Sequence, residues 1–151
     1  MPNWTFLGLH FLHTFALAIW VGGGLIIGAI VAPTVFGSTA TREQAGTITA
    51  RVLQRFDTLV VICIPVLLIT SLLMILWYGR LSAWYAIEYV CIGLMSGSAL
   101  FSMILITPRI RTARAVDVAP ASSDDFERFH RMAVLCMQFN LACGTVAILF
   151  S

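Results

Sequence analysis

"FLGLHFLHTFALAIWVGGGLIIG" (residues 6–28) is apolar almost throughout, yet it places His10 and His13 near its start. A hydrocarbon layer of about 30 Å takes roughly 20 such residues as a helix. The stretch therefore reads as a membrane span, and its two imidazoles need an explanation.

The rest of the chain agrees with the first part of that reading. Of 151 residues, 60% are hydrophobic and 11% charged, with mean hydropathy +0.94. Soluble domains run near about 45–50% apolar and about 25% charged. Three more stretches reach spanning length: 58–78, 84–106 and 129–150, beside the first at about 6–31. In lipid every backbone N–H and C=O needs an internal partner, so continuous apolar runs of this length read as helices. The expected fold is one all-α domain over 1–151, a bundle of four transmembrane helices. The first run is expected to stay as a span rather than act as a cleavable leader, because it lacks a basic start, exceeds the usual core length and has no clear A-x-A site after it.

Charge sets the expected orientation. There is no lysine, and all nine basic residues are arginines. Arg42, Arg51 and Arg55 follow helix 1, while Arg109, Arg111, Arg114, Arg128 and Arg131 separate helices 3 and 4. Only Arg80 lies on the opposite side. The positive-inside rule then puts both long loops in the cytoplasm and both termini outside, in the cytoplasmic (inner) membrane. These arginines, with His130 among them, suit anionic lipid headgroups better than nucleic acid.

Local signals refine the map. Pro33 in "VAPTVFG" disfavours helix in the residue before it, so helix 1 should end there. Thr41 and Gln44 fit a capping box, and Ala45, Ile48, Val52 and Phe56 recur at helical spacing. We read 41–56 as an amphipathic helix at the interface that then turns into helix 2; the alternative is one continuous helix projecting into water. Trp77, Tyr78, Trp84 and Tyr85 make an aromatic belt. Ser122 or Ser123 should cap helix 4, with Asp124, Asp125 and Glu127 favourable at that end. The cysteines, Cys63, Cys91, Cys136 and Cys143, all fall inside spans as small hydrophobes. Two GxxxG pairs, Gly24 with Gly28 and Gly93 with Gly97, point to close helix contacts within the bundle or with a partner.

Ionisable residues inside a span are the candidates for function. His10 and His13 lie roughly 9–13 Å in from Trp4, and Glu88 about 6 Å in from Trp84, at 1.5 Å per residue. Arg80, Tyr85 and Tyr89 could join them. An i, i+3 histidine pair with a carboxylate from a facing helix could ligate a metal ion or touch a heme b. It could equally relay protons, or simply hydrogen-bond and fix helix packing. His10 is expected to face the interior beside Glu88, and His13, a turn deeper, has no obvious partner. His130 lies too far away to share a heme with them. Gln138 and Asn140, near mid-membrane, are expected to hydrogen-bond across helices, and Asp57 beside Arg55 looks like an interfacial ion pair. No phosphate-binding loop, GxSxG, CxxCH or HExxH occurs.

"LHTFALAIWVGGGLIIGAIVAPTVFG" (12–37) followed by "REQAG" (42–46) resembles the opening of the transmembrane protein 205-like family. "ITPRIRTAR" and "FERFHRMAVLCMQFNLACG" resemble its later helices, with His130 matching a histidine there. That resemblance implies a four-helix membrane domain with no settled activity and no catalytic residues. A weaker likeness links the histidine-bearing first helix to HemJ-type oxidases and CopD-type copper proteins. The HemJ pattern uses a lysine, which this chain lacks. Two roles follow as expectations. The leading one is a non-catalytic accessory subunit packed against other membrane subunits in a respiratory or photosynthetic assembly. The other is a heme- or metal-binding redox protein built on His10, His13 and Glu88.

Overall fold

The computed structural model describes residues 4–39, 41–79, 82–109 and 122–150. Among these there are helices and no strands. Four helical stretches are long and apolar enough to cross a membrane: Trp4–Ser38, Gln44–Trp77, Ala83–Arg109 and Arg131–Phe150. The chain is an all-α, multi-pass membrane protein.

The first stretch consists of α1 (Trp4–Ile26), a π-helical turn (Ile27–Val31) and α2 (Ala32–Ser38). Pro33 does not end it, contrary to the sequence expectation. In a regular helix the proline ring would strike the carbonyl four residues back. Here the coil widens first, and the Ala32 N–H bonds the Ile27 carbonyl five residues back. The third stretch repeats the device: α4 (Ala83–Phe101) runs into a π turn (Ser102–Ile106), where the Thr107 N–H bonds the Ser102 carbonyl and Pro108 follows. A π turn ahead of a proline lets each helix pass it.

The second stretch is a single helix, α3 (Arg42–Tyr78), of 37 residues. The Thr41 hydroxyl accepts from the Gln44 N–H at 3.3 Å and caps its start as expected. Gly79, at φ 60°, closes its end in the left-handed region that glycine tolerates. The separate interfacial helix expected over 41–56 is instead the first part of α3. Nothing between Phe56 and Thr58 breaks the helix, and the two ends of the apolar stripe, Ala45 and Phe56, pack on protein while Ile48 stays exposed. Ala45 is fully buried, α2 packs on α3, and the Phe56 ring lies on Gly23. At about 55 Å the helix overshoots the hydrocarbon layer, so this paired segment stands beyond it. The last helix is α5 (Ser122–Phe150).

The core is built from Leu17, Trp20 and Val21 of α1, Cys63, Ile64 and Leu67 of α3, and Ile92 and Met95 of α4. Among the described residues of α5, Ala147 joins this buried cluster, with Leu141 and Cys143 packed against it. The helix also packs through small residues. A Cβ on Gly144 would collide with Val21 and meet Met95 Cε at 3.1 Å. The Gly24–Gly28 pair does what its spacing suggested: a Cβ added at Gly24 would meet Leu141 at 3.1 Å, and one added at Gly28 would meet Met137 at 3.0 Å. The Gly93–Gly97 pair faces away from the described residues of the bundle. Both are exposed, with nothing within 4 Å of either added Cβ.

At the end of the bundle holding the α3–α4 turn, Trp77 and Trp84 are exposed, and Trp84 stacks on Phe150 with centroids 5.5 Å apart. Arg80, Arg111 and Arg114 lie outside the described residues, as do the side chains of Tyr78, Ser122, Ser123 and His130.

Candidate functional site

The interior imidazole belongs to His13, not His10. Seven residues before Trp20, His13 takes the α1 face that continues through Ala16, Leu17 and Trp20 into the core. It is fully buried at 0% exposure. His10 sits one turn nearer the N-terminus, half-buried, with its ring stacked on Phe6 at 6.0 Å. The two residues are about 60° apart by helix geometry, and that rotation separates the core from the rim.

His13 joins three helices. Its Nδ1 lies 2.7 Å from the Thr70 hydroxyl of α3, and its Nε2 lies 2.9 Å from Glu88 Oε1 of α4. Glu88 is 3% exposed and opens the buried α4 face that runs on through Ile92, Met95, Ser96 and Ala99. Thr70 was not singled out in the sequence. Its signal was a Thr70–Ser71 hydroxyl pair in the middle of an apolar run.

A hydroxyl has one proton to donate, and the Thr70 oxygen lies within reach of three acceptors: the Val66 carbonyl at 2.7 Å, the Leu67 carbonyl at 3.1 Å and His13 Nδ1 at 2.7 Å. When the hydroxyl donates to a carbonyl, His13 Nδ1 carries hydrogen and donates to Thr70. When it donates to Nδ1, the ring hydrogen sits on Nε2 and points at Glu88 Oε1. In both arrangements each ring nitrogen is engaged inside the bundle.

This arrangement saturates the imidazole. Both ring nitrogens already have protein partners, at 2.7 and 2.9 Å. His10, His13 and Glu88 do not converge, and among the described residues no three of His, Cys, Asp and Glu group as a metal ion needs. Tyr85 and Tyr89 are half-buried on the same helix as Glu88.

Next to Thr70, the Ser71 hydroxyl donates to the Leu67 carbonyl at 2.7 Å. Asn140 reaches Ser98 across α5 and α4, but only at 3.5 Å, a weak bond. Gln138 does not turn inward; it is exposed on the outside of α5. At the opposite, arginine-rich end, Arg51, Arg55, Arg109, Arg128 and Arg131 are all exposed, as headgroup-facing residues would be. A cleft of about 300 Å³ opens there between α3 and α4, with Gln54, Asp57 and Thr58 facing Thr107 above Val61 and Met103.

Comparison with known proteins narrows the identity to a family. No curated protein and no solved structure matches the chain. A family model described as a domain of unknown function, DUF4149, matches residues 15–117. It supports neither the transmembrane protein 205-like resemblance nor the HemJ and CopD likenesses specifically. The match takes in Thr70 and Glu88 and begins two residues past His13. It covers more than half of the chain, which therefore belongs to the DUF4149 family.

Proposed function

We propose that this chain is a non-catalytic membrane subunit, oriented with both termini outside, that packs against other proteins in a larger membrane assembly of the respiratory or photosynthetic type. In this reading His13, Thr70 and Glu88 form a structural clamp that holds α1, α3 and α4 together. The observation that carries it is the saturation of His13: an imidazole with both nitrogens engaged at 2.7 and 2.9 Å orients helices rather than ligating a guest. The outward Gly93–Gly97 pair adds to it, since small residues with no described neighbour within 4 Å of an added Cβ leave α4 open to close approach by another helix.

A heme- or metal-binding redox role is the second reading. It draws on His10, one turn from His13 and half-buried near the rim. For His13 to serve as a ligand, it must release Thr70 or Glu88. Two measurements separate the readings. The accessory role expects larger membrane proteins to co-purify with the tagged chain from its native membrane at fixed stoichiometry, with no visible absorption band from the chain itself. A Soret band, or a stoichiometric metal lost in His13→Ala, favours the redox role and counts against the clamp. Purification as a lone chain after mild solubilisation counts against the accessory role.

A further inference from the structure

The helix that contributes least to the core carries an unexplained polar group on its outer face. Of the spanning windows, that of α5 is 11% buried, against 28–39% for the other three. Its outward residues are Arg131, Leu135, Gln138, Ala142, Thr145 and Leu149, all exposed. They recur at alternating spacings of four and three, the seam of a left-handed helix pair. By helix phase the seam lies opposite Ala147, which faces the core.

Gln138 lies seven residues inside Arg131 and twelve from Phe150, within the hydrocarbon layer. No hydrogen bond joins its amide to any described residue. A primary amide has two donors and an acceptor, and leaving them unpaired in lipid costs several kcal/mol. Thr145 is already satisfied, donating to the Leu141 carbonyl at 2.8 Å. The seam therefore has one unmet polar requirement, at its middle.

We propose that α5 pairs in parallel with α5 of a second copy of this chain, with Gln138 of each copy hydrogen-bonded to Gln138 of the other. Copies inserted in the same orientation present the same seam side by side, so a two-fold axis along the membrane normal brings like residues together. The amide is both donor and acceptor, and such a pair satisfies itself without a second residue type. Ala142, one turn further along, is small enough to let the backbones close. Leu135 and Leu149 flank the polar layer, which sets the register as a single polar seam residue does in coiled coils. This inference does not depend on the accessory-subunit reading. A failed dimer leaves that reading standing, and failure to co-purify with larger proteins leaves the dimer standing.

The test is the monomer–dimer equilibrium of the full chain in lipid bilayers, read by energy transfer between donor- and acceptor-labelled copies over a range of protein-to-lipid ratios. The wild-type chain is expected to dimerise. Gln138→Leu should weaken the association about five- to tenfold, the scale of one interhelical amide contact. Ala142→Phe should weaken it through shape alone while leaving the amide in place. Both sites are exposed, so the fold should survive, and the His13–Glu88 core serves as an internal check through the melting temperature. Leu94→Ala, on the outer face of α4, should change nothing. A wild-type chain that stays monomeric overturns the proposal, and so does a dimer that persists unchanged in folded Gln138→Leu and Ala142→Phe. A different protein occupying the seam, with no self-association, overturns it equally.

Discussion

The inner face of α1 and the outer faces of α4 and α5 carry the same kinds of residue with opposite outcomes. On α1 and the π turn that continues it, His13 meets Thr70 and Glu88, and Gly24 and Gly28 leave room for Leu141 and Met137. On the outer faces, Gly93 and Gly97 have no described residue within 4 Å of an added Cβ, and Gln138 is exposed with no hydrogen bond to a described residue. Composition does not distinguish the two sets, because each lies in an apolar span of similar hydropathy. Helix phase does. A polar or small residue turned inward is consumed by its own bundle, and one turned outward is available to a neighbour or to lipid.

Substitutions can break that contrast, and the largest effect should come from the clamp. His13→Ala leaves Glu88 buried without its partner, and breaking a buried pair in this way costs about 3–5 kcal/mol. Thermal or denaturant unfolding in detergent should show it, and a melting temperature within error of wild type would refute the clamp. Next comes Gly144→Leu, which drives a side chain into Val21 and Met95 where even a Cβ has no room. Overpacking of this kind costs about 1–3 kcal/mol.

The two glycine pairs sharpen the comparison further. Gly24→Leu should destabilise the isolated chain by a similar amount, since Leu141 already sits 3.1 Å from the site of its Cβ. Gly97→Leu should leave the isolated chain's stability within about 0.5 kcal/mol, as substitutions away from packed features do. Equal losses at both positions would mean that the outward face is not outward. His10→Ala should have the smallest effect on stability, again within about 0.5 kcal/mol, because its ring loses only a stacking contact with Phe6. A loss at His10 comparable to that at His13 would erase the distinction between core and rim.

Much of the architecture was legible in the sequence, for a physical reason. Lipid demands long apolar helices, and four such runs with arginines clustered between alternate pairs leave little choice of fold class. The polar cluster was legible only in outline. Glu88 and the histidine pair were identifiable as costly residues, but the choice between His10 and His13 depends on a rotation of about 60°, which apolar neighbours on every side do not reveal. Thr70 was hidden for a related reason: hydroxyls are common in spans because they can bond their own helix backbone, as Thr70 also does. Pro33 misled in the opposite direction. Its ordinary effect is to end a helix, and a π turn ending two residues earlier, which no residue in the stretch announces, carries the helix past it. The continuity of α3 turned on tertiary packing, with Ala45 and Phe56 finding protein where a lone segment would have found headgroups.

A double-mutant cycle on His13 and Glu88 tests the central claim most directly. Unfolding free energies would be measured for His13→Leu, Glu88→Leu and the double variant in the same detergent or bicelle. A clamp whose value lies in mutual satisfaction predicts two costly single variants and a double variant more stable than either, since replacing both members of a buried pair by apolar residues removes the unpaired charge. Losses that simply add, with the double variant at the sum of the singles, would show that the two side chains do not depend on each other and would contradict the account.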